Sequence, residues 1–232
     1  MPGLFTMSAE RNFELAQQMR LRVANLPAKH LETRLSDLDM SRYSRDSLAK
    51  IEEFAATGHS SGFAGRGLYF AGFPGDGKTT VACALLNEAR YRRKSWVRFQ
   101  TLPDLLAMRQ EIIRLDRRAD RGDEVAFEES DRLYRLIRRM DGEQTGRGEP
   151  PFGVLVLDDV GKEHRTSSGW ATEEFDRIIR GRFNKGLPTI LTTNLTLEDW
   201  EKEGYHPSTK SFLREAFAGA PLSTGHDFRA GR

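Results

Sequence analysis

The sequence predicts an α/β fold with a mostly parallel sheet. Three observations carry that prediction. Strand-like apolar runs alternate with helical stretches along the chain, the pattern of β–α–β units. One run, Gly153-Val154-Leu155-Val156-Leu157, is apolar throughout, as expected of a strand buried on both faces. A glycine-rich segment, Gly72 to Gly77, separates a strand-like run from a helix-like one.

The elements follow in order. Residues 1 to about 30 read as a polar helix with a weak stripe of Phe13, Leu15 and Met19, broken at Leu26-Pro27. Residues 28–57 read as one or two short helices, with Ile51 and Phe54 facing the core. The Gly/Ser cluster from Thr57 to Gly67 is a loop. Gly67 to Ala71 is a short buried strand, and Lys78 to about Arg92 a helix rich in Ala and Leu. Ser95 to Gln100 is a second strand. Pro103 opens a helix that runs to about Leu115, because a first-turn proline gives up no hydrogen bond. A charged insertion, 116–149, holds a helix around Glu128–Met140. After the Gly153–Leu157 strand come a helix, Thr172–Phe183, and a fourth strand, Pro188–Thr193.

Composition narrows the classes. With 38% hydrophobic and 30% charged residues among 232, the chain can bury a core and is not wholesale disordered. No apolar run approaches the roughly 20 residues needed to span a bilayer, and the N-terminus lacks a secretory pattern. The lone Cys83 makes neither an internal disulfide nor a zinc site, which fits a reducing cytoplasm; it reads as a small buried hydrophobe. The net charge of +2 hides 36 basic against 34 acidic residues. Arg90 to Arg121 alone holds ten basic and four acidic residues. That run is either a set of solvated helix faces or a local positive field for phosphates.

Gly72-Phe73-Pro74-Gly75-Asp76-Gly77-Lys78-Thr79 is a complete G-x-x-x-x-G-K-[ST] between strand and helix. Its glycines let the backbone wrap an anion, and the loop amides with the helix N-terminus face the phosphates. Lys78 supplies charge to the β- and γ-phosphates, and the Thr79 hydroxyl can ligate Mg²⁺. Gly72, Pro74, Gly75, Asp76, Gly77, Lys78, Thr79 and Thr80 are the expected ATP-binding residues.

Asp158 and Asp159 end the second motif strand, on the edge where open α/β sheets bind ligands. Asp158 is suited to hold Mg²⁺ and Asp159 to polarise a water. Alone, the pair could equally be a turn that favours aspartate; beside a phosphate loop the chemical reading is preferred. Thr192-Thr193-Asn194 ends the fourth strand, where Asn194 either holds the attacking water or opens a turn and caps the next helix.

These elements, in this order and spacing, resemble AAA+ ATPases, and within them the helicase-loader and transposition-helper branch of DnaC, DnaI and IstB. Leu68 to Thr79 resembles that branch's first motif and Leu155 to Gly161 its second. Arg182-Phe183-Asn184 with Gly186 to Leu195, and Phe212-Leu213-Arg214 with Gly225 to Arg229, are similar to its later patterns. The resemblance covers about residues 30 to 232. It implies a P-loop three-layer sandwich without a C-terminal lid, and an ATPase that assembles side by side into a ring or spiral. It also implies catalytic roles for Lys78, Asp159, Asn194 as γ-phosphate sensor, Arg214 as an arginine finger in a neighbour's site, and Arg229 as a second sensor. Arg182 is implied at a subunit boundary.

Two features depart from the branch. Asp159 stands where many AAA+ proteins carry Glu, which points to slow or partner-dependent hydrolysis. Only about residues 1–30 stand outside the 31–232 ATPase domain as a partner-binding extension.

In this branch an extra helix near the insertion lines a path for single-stranded DNA. Candidate contacts are Arg109, Arg117, Arg118, Arg121, Arg132, Arg135, Arg138 and Arg139, on or beside a helix whose apolar stripe is Leu133, Leu136, Ile137 and Met140. The alternative is an exposed hairpin in which Asp123, Glu124, Glu128, Glu129 and Asp131 pair with these arginines.

The expected function is an ATP-dependent loader of a replicative helicase onto single-stranded DNA, with no membrane role. One rival is an IstB-like helper that directs a transposase on duplex DNA. A second is a small-molecule kinase with the insertion as lid, which leaves Asn194 and the tail arginines without a role. A third is an assembly factor that binds ATP and barely hydrolyses it.

Overall fold

The computed structural model describes residues 9–57, 67–163, 169–196 and 198–222. Five strands form one sheet: β1 (Gly67–Ala71), β2 (Val97–Thr101), β3 (Val154–Val160), β4 (Thr189–Thr193) and β5 (Phe217–Gly219). Their order is β2-β3-β4-β1-β5, and every pairing is parallel. Helices lie on both faces, so the molecule has three layers. Among the described residues no helical lid follows β5, and no helix is long and apolar enough to cross a membrane.

Strand β3 shows why its sequence is continuously apolar. Val154 and Val156 pack into one core with α2 (Arg45–Thr57) and α3 (Lys78–Arg92). Leu155 and Leu157 pack into the other with α4 (Leu102–Ala119), α5 (Glu124–Met140), α6 (Trp170–Asn184) and α8 (Pro207–Ala216). Alternate side chains thus enter two different cores. Ile51, Phe54 and Cys83 are buried as expected.

The chain departs from the sequence reading in four places. Strand β5 follows α8 without a break. Three residues, Phe-Ala-Gly, carry no alternation to reveal it, and its pairing with β1 supplies the signal. Helix α4 runs on to Ala119, and α5 starts at Glu124, where the Asp123 side chain caps it by accepting from the Ala126 amide at 3.0 Å. The insertion is therefore a helical hairpin continuous with α4.

Third, helix α1 (Ala9–Ala24) does not stand apart. The Arg98 guanidinium donates to the Val23 carbonyl, Asn25 donates to the Phe99 carbonyl, and Ala24 and Leu26 are buried. The segment shields the edge of β2, an edge that would otherwise offer unpaired backbone groups.

Fourth, Arg182 is not at a subunit boundary. It is fully buried. Its guanidinium donates to the carbonyls of Met140, Phe152 and Pro188 and to the Thr189 hydroxyl, all within 2.8–3.1 Å. It ties the end of α5 to the starts of β3 and β4. Burial pulls its pKa down to about 9. Four acceptors justify a buried cation, where a surface role would need an exposed head.

Candidate nucleotide site

The C-terminal ends of β1, β3 and β4 converge on one cleft of about 800 Å³. The phosphate loop forms its floor. Gly75 and Gly77 have φ of 93° and 84°, a region that glycine alone enters freely. A Cβ on Gly77 would also lie 2.7 Å from the Tyr43 hydroxyl. That hydroxyl donates to the Asp76 carbonyl at 3.0 Å, so Tyr43 supports the loop from behind. The Asp76 carboxylate accepts from the Phe73 amide at 2.6 Å, closing the loop on itself. The Asp76 side chain thus braces the loop.

Lys78 is 8% exposed and donates to the Gly72 and Phe73 carbonyls at 2.9 and 2.7 Å. Burial lowers its pKa, chiefly by desolvation. The ammonium is poised over the loop and under-compensated, which is the state an arriving phosphate would relieve. Pro74, Gly75, Gly77, Lys78, Thr79 and Thr80 all line the cleft.

The acidic pair sits on a kink that the sequence did not reveal. Pairing between β3 and β4 shifts between Leu157 and Val160: Leu157 faces Leu191, but Val160 faces Thr193. One extra residue is accommodated on β3, a bulge that re-aims side chains. Asp159 takes φ of 59°, the left-handed region, where Asp is among the few tolerated side chains. Its amide donates to the Thr192 hydroxyl at 3.1 Å, and that hydroxyl donates onward to Asp158 Oδ1. Thr79 donates to the same oxygen at 2.9 Å. Asp158 is nearly buried, and desolvation raises its pKa. Asp159 faces the cleft more openly, with Lys162 Nζ at 2.7 Å from its carboxylate.

Thr79 and Asp158 thus converge as a hard oxygen set beside the phosphate loop. That set fits Mg²⁺, which takes one or two carboxylate or hydroxyl ligands and phosphate oxygens.

Asn194 is exposed into the cleft and caps no helix among the described residues; the helix α7 (Asp199–Lys202) that follows has Glu198 at its N-cap. Arg214 is exposed in the last turn of α8 and makes no ion pair among the described residues. Arg229 lies outside the described residues.

The far wall of the cleft had no motif to announce it. Lys29, His30, Thr33, Asp37 and Leu38 line it. Asn87 of α3 holds this segment by donating to the His30 and Thr33 carbonyls at 3.0 and 2.9 Å. Only the buried polar Asn87 and Arg90 within an apolar helix hinted at such a clamp.

The arginine candidates of the hairpin divide sharply. Arg139 is buried; it stacks over Phe152 and donates to the Pro150 carbonyl at 2.8 Å. Position 139 lies off the stripe of Leu133, Ile137 and Met140; it is buried because Trp96 and the Pro150–Phe152 segment cover it. It is not available to DNA. Arg109 is also largely covered, between Asp141 at 2.8 Å and Glu174 at 2.9 Å. Arg118 pairs with Asp123, Arg132 with Glu129, Arg135 with Asp131, and Arg138 with Glu143. Arg117 and Arg121 are exposed without an ion pair among the described residues, and Phe127 and Tyr134 are exposed aromatics.

Solved structures share this architecture. A protein described as a primosome component of Streptococcus pyogenes serotype M3 superposes with a TM-score of 0.60 at 18% identity, covering 90% of this chain and 95% of its own. The DnaC helicase loader gives 0.57 at 24%, covering 84% and 99%. The replication initiator DnaA bound to AMPPCP and single-stranded DNA gives 0.58 at 16%, covering 84% of this chain and 51% of its own. At these identities the likeness establishes the fold. No protein of curated function matches the sequence. Residues 7–206 match the family described as IstB-like ATP binding protein, and with the phosphate loop, Lys78, Thr79 and Asp158 gathered at one cleft, the chain belongs to the IstB-like ATP-binding family.

Proposed function

We propose that the protein hydrolyses ATP at the boundary between adjacent copies and uses the cycle to load a replicative helicase onto single-stranded DNA. The observation that carries this reading is an asymmetry of cations. The described lining of the cleft includes Lys29, Lys78 and Lys162 but no arginine. Arg214 meanwhile projects from a well-anchored helix with no ion-pair partner among the described residues. Among the described residues, a cleft without an arginine and an arginine without a carboxylate are complementary between neighbours.

The residues act in sequence. The loop amides and the N-terminus of α3 take the phosphates, and Lys78 turns from the Gly72 and Phe73 carbonyls toward them. Thr79 and Asp158 would hold Mg²⁺, which neutralises charge developing on the phosphates. Asp159, once Lys162 leaves its carboxylate for the γ-phosphate, orients the attacking water with Asn194. Arg214 of the adjacent copy completes the charge.

A second reading has its own support. The family match favours a transposition helper acting on duplex DNA with a transposase. The kinase reading is less favoured, because Arg132, Arg135 and Arg138 of the hairpin pair with carboxylates.

The test is ATP turnover by the pure protein with and without single-stranded or duplex DNA, for wild type and Arg214→Ala. Turnover stimulated by single strands and abolished in Arg214→Ala, with ATP still bound, is the expected result. Stimulation by duplex alone supports the transposition reading. Turnover indifferent to both DNA and Arg214 overturns the proposal.

A further inference from the structure

Behind the cleft lies a buried polar circuit that none of these steps uses. Glu163 follows the acidic turn, and its side chain folds back on it. Oε2 accepts from the Gly161 amide at 2.8 Å, and Oε1 accepts from the Tyr205 hydroxyl. Glu163 is 5% exposed and Tyr205 2%. Gly161 has φ of 96°, and a Cβ there would stand 2.7 Å from Leu195 Cδ1. The turn after β3 is therefore pressed against the residue that follows Asn194.

The circuit continues on the other side. The Tyr205 ring lies 4.4 Å from that of Trp200. Trp200 Nε1 donates to the Tyr69 hydroxyl at 2.9 Å, which donates to the Leu195 carbonyl at 2.7 Å. Tyr205 stands two residues before α8, the helix that ends with Arg214. One buried group of contacts thus touches the turn that carries Asp158 and Asp159, the strand end that carries Asn194, and the root of the Arg214 helix.

A carboxylate is an expensive group to bury. An apolar side chain would fill the same space at lower cost, but it could not bond the turn and Tyr205 at once. Charge-assisted hydrogen bonds from both sides fix the spacing of the two segments more stiffly than packing alone. Any shift of the acidic turn on nucleotide binding must then move Tyr205.

We infer that Glu163 is a positioning residue that relays the state of the nucleotide site to α8, and so sets the pose of Arg214. This rests on the ATP-site reading above. Its test needs binding rather than turnover, so the two can fail separately.

The experiment is hydrogen–deuterium exchange over residues 207–216 in the full chain, with and without saturating AMPPCP and Mg²⁺. Wild type, Glu163→Gln, Tyr205→Phe and the double variant are compared. In wild type the analogue is expected to slow exchange there by about fivefold or more, the scale of a modest coupling between sites. Each single variant should lose most of that response while the analogue's Kd changes by less than about twofold. The double variant should be no worse than either single, because both cut one link. A purely structural role would alter exchange equally with and without analogue. Should Glu163→Gln fail to fold, Tyr205→Phe carries the test, since it keeps the ring on Trp200 and removes one oxygen.

The relay is overturned if the variants keep the full response, or if wild type binds the analogue and α8 does not respond. If wild type does not bind the analogue at all, the nucleotide-site reading falls, and the relay with it.

Discussion

The nucleotide cleft and the α4–α5 hairpin are both rich in charge, and they use it in opposite ways. In the cleft, Lys78 is held short of satisfaction: it is nearly buried against two carbonyls, and its ammonium is destabilised by burial. In the hairpin, six of eight candidate arginines are spent on carboxylates or carbonyls of the same fold. A count of arginines therefore overstates the field available to a polyanion, whereas the single Lys78 beneath the glycine loop keeps its charge close to the cleft. Free charge, and not charge, binds phosphate.

The largest effect that would break this comparison concerns the interior. Arg182→Ala removes four buried hydrogen bonds at once, and we expect a loss of about 3–5 kcal/mol, read as a lowered midpoint in urea. An unchanged midpoint would mean that the buried cation does not tie the elements together. Next, a nucleotide at about 100 times its Kd should stabilise the fold by roughly 2.7 kcal/mol, and Lys78→Ala should abolish the accompanying rise in Tm. Survival of that rise in Lys78→Ala would remove the cleft from the comparison.

The hairpin supplies an internal contrast. Arg139→Ala should destabilise by about 2 kcal/mol without a specific effect on DNA. Arg117→Ala with Arg121→Ala should stay within about 0.5 kcal/mol of wild type. If DNA is bound there, that pair should reduce the salt slope of binding by roughly 2. Equal behaviour of the two sets would erase the distinction between structural and available arginines.

A smaller effect sharpens the role of Asp158. Burial raises its pKa, so the folded state holds the proton more tightly than the unfolded chain. The carboxyl's favourable contribution is then present at low pH and lost as pH rises through the folded-state pKa. Asp158→Asn keeps an acceptor for Thr79 and Thr192 and removes the buried charge. We expect the stability to rise at neutral pH, by on the order of 1 kcal/mol and seen as a higher Tm, with the gain shrinking as pH falls. A Tm that falls at neutral pH would show the carboxylate to be compensated by its two hydroxyls. Turnover should be lost at every pH.

Much of the molecule was legible in its residues. The phosphate loop, the apolar β3 run and the alternation of elements each depend on short-range pattern: glycines for backbone freedom, period-two burial for strands, a helix start after Lys78. Those constraints are local, so the sequence by itself determined the α/β class and the ATP-binding loop. Other features required the chain to be assembled. The bulge that turns Asp158 and Asp159 into the cleft exists only as a mismatch between β3 and β4. The burial of Arg139 and Arg182, the packing of α1 on β2 and the far wall from Lys29 to Leu38 arise from contacts between residues distant in sequence. Whether an arginine is a ligand or a staple depends on which carbonyls and carboxylates surround it, and only the tertiary structure brings those together.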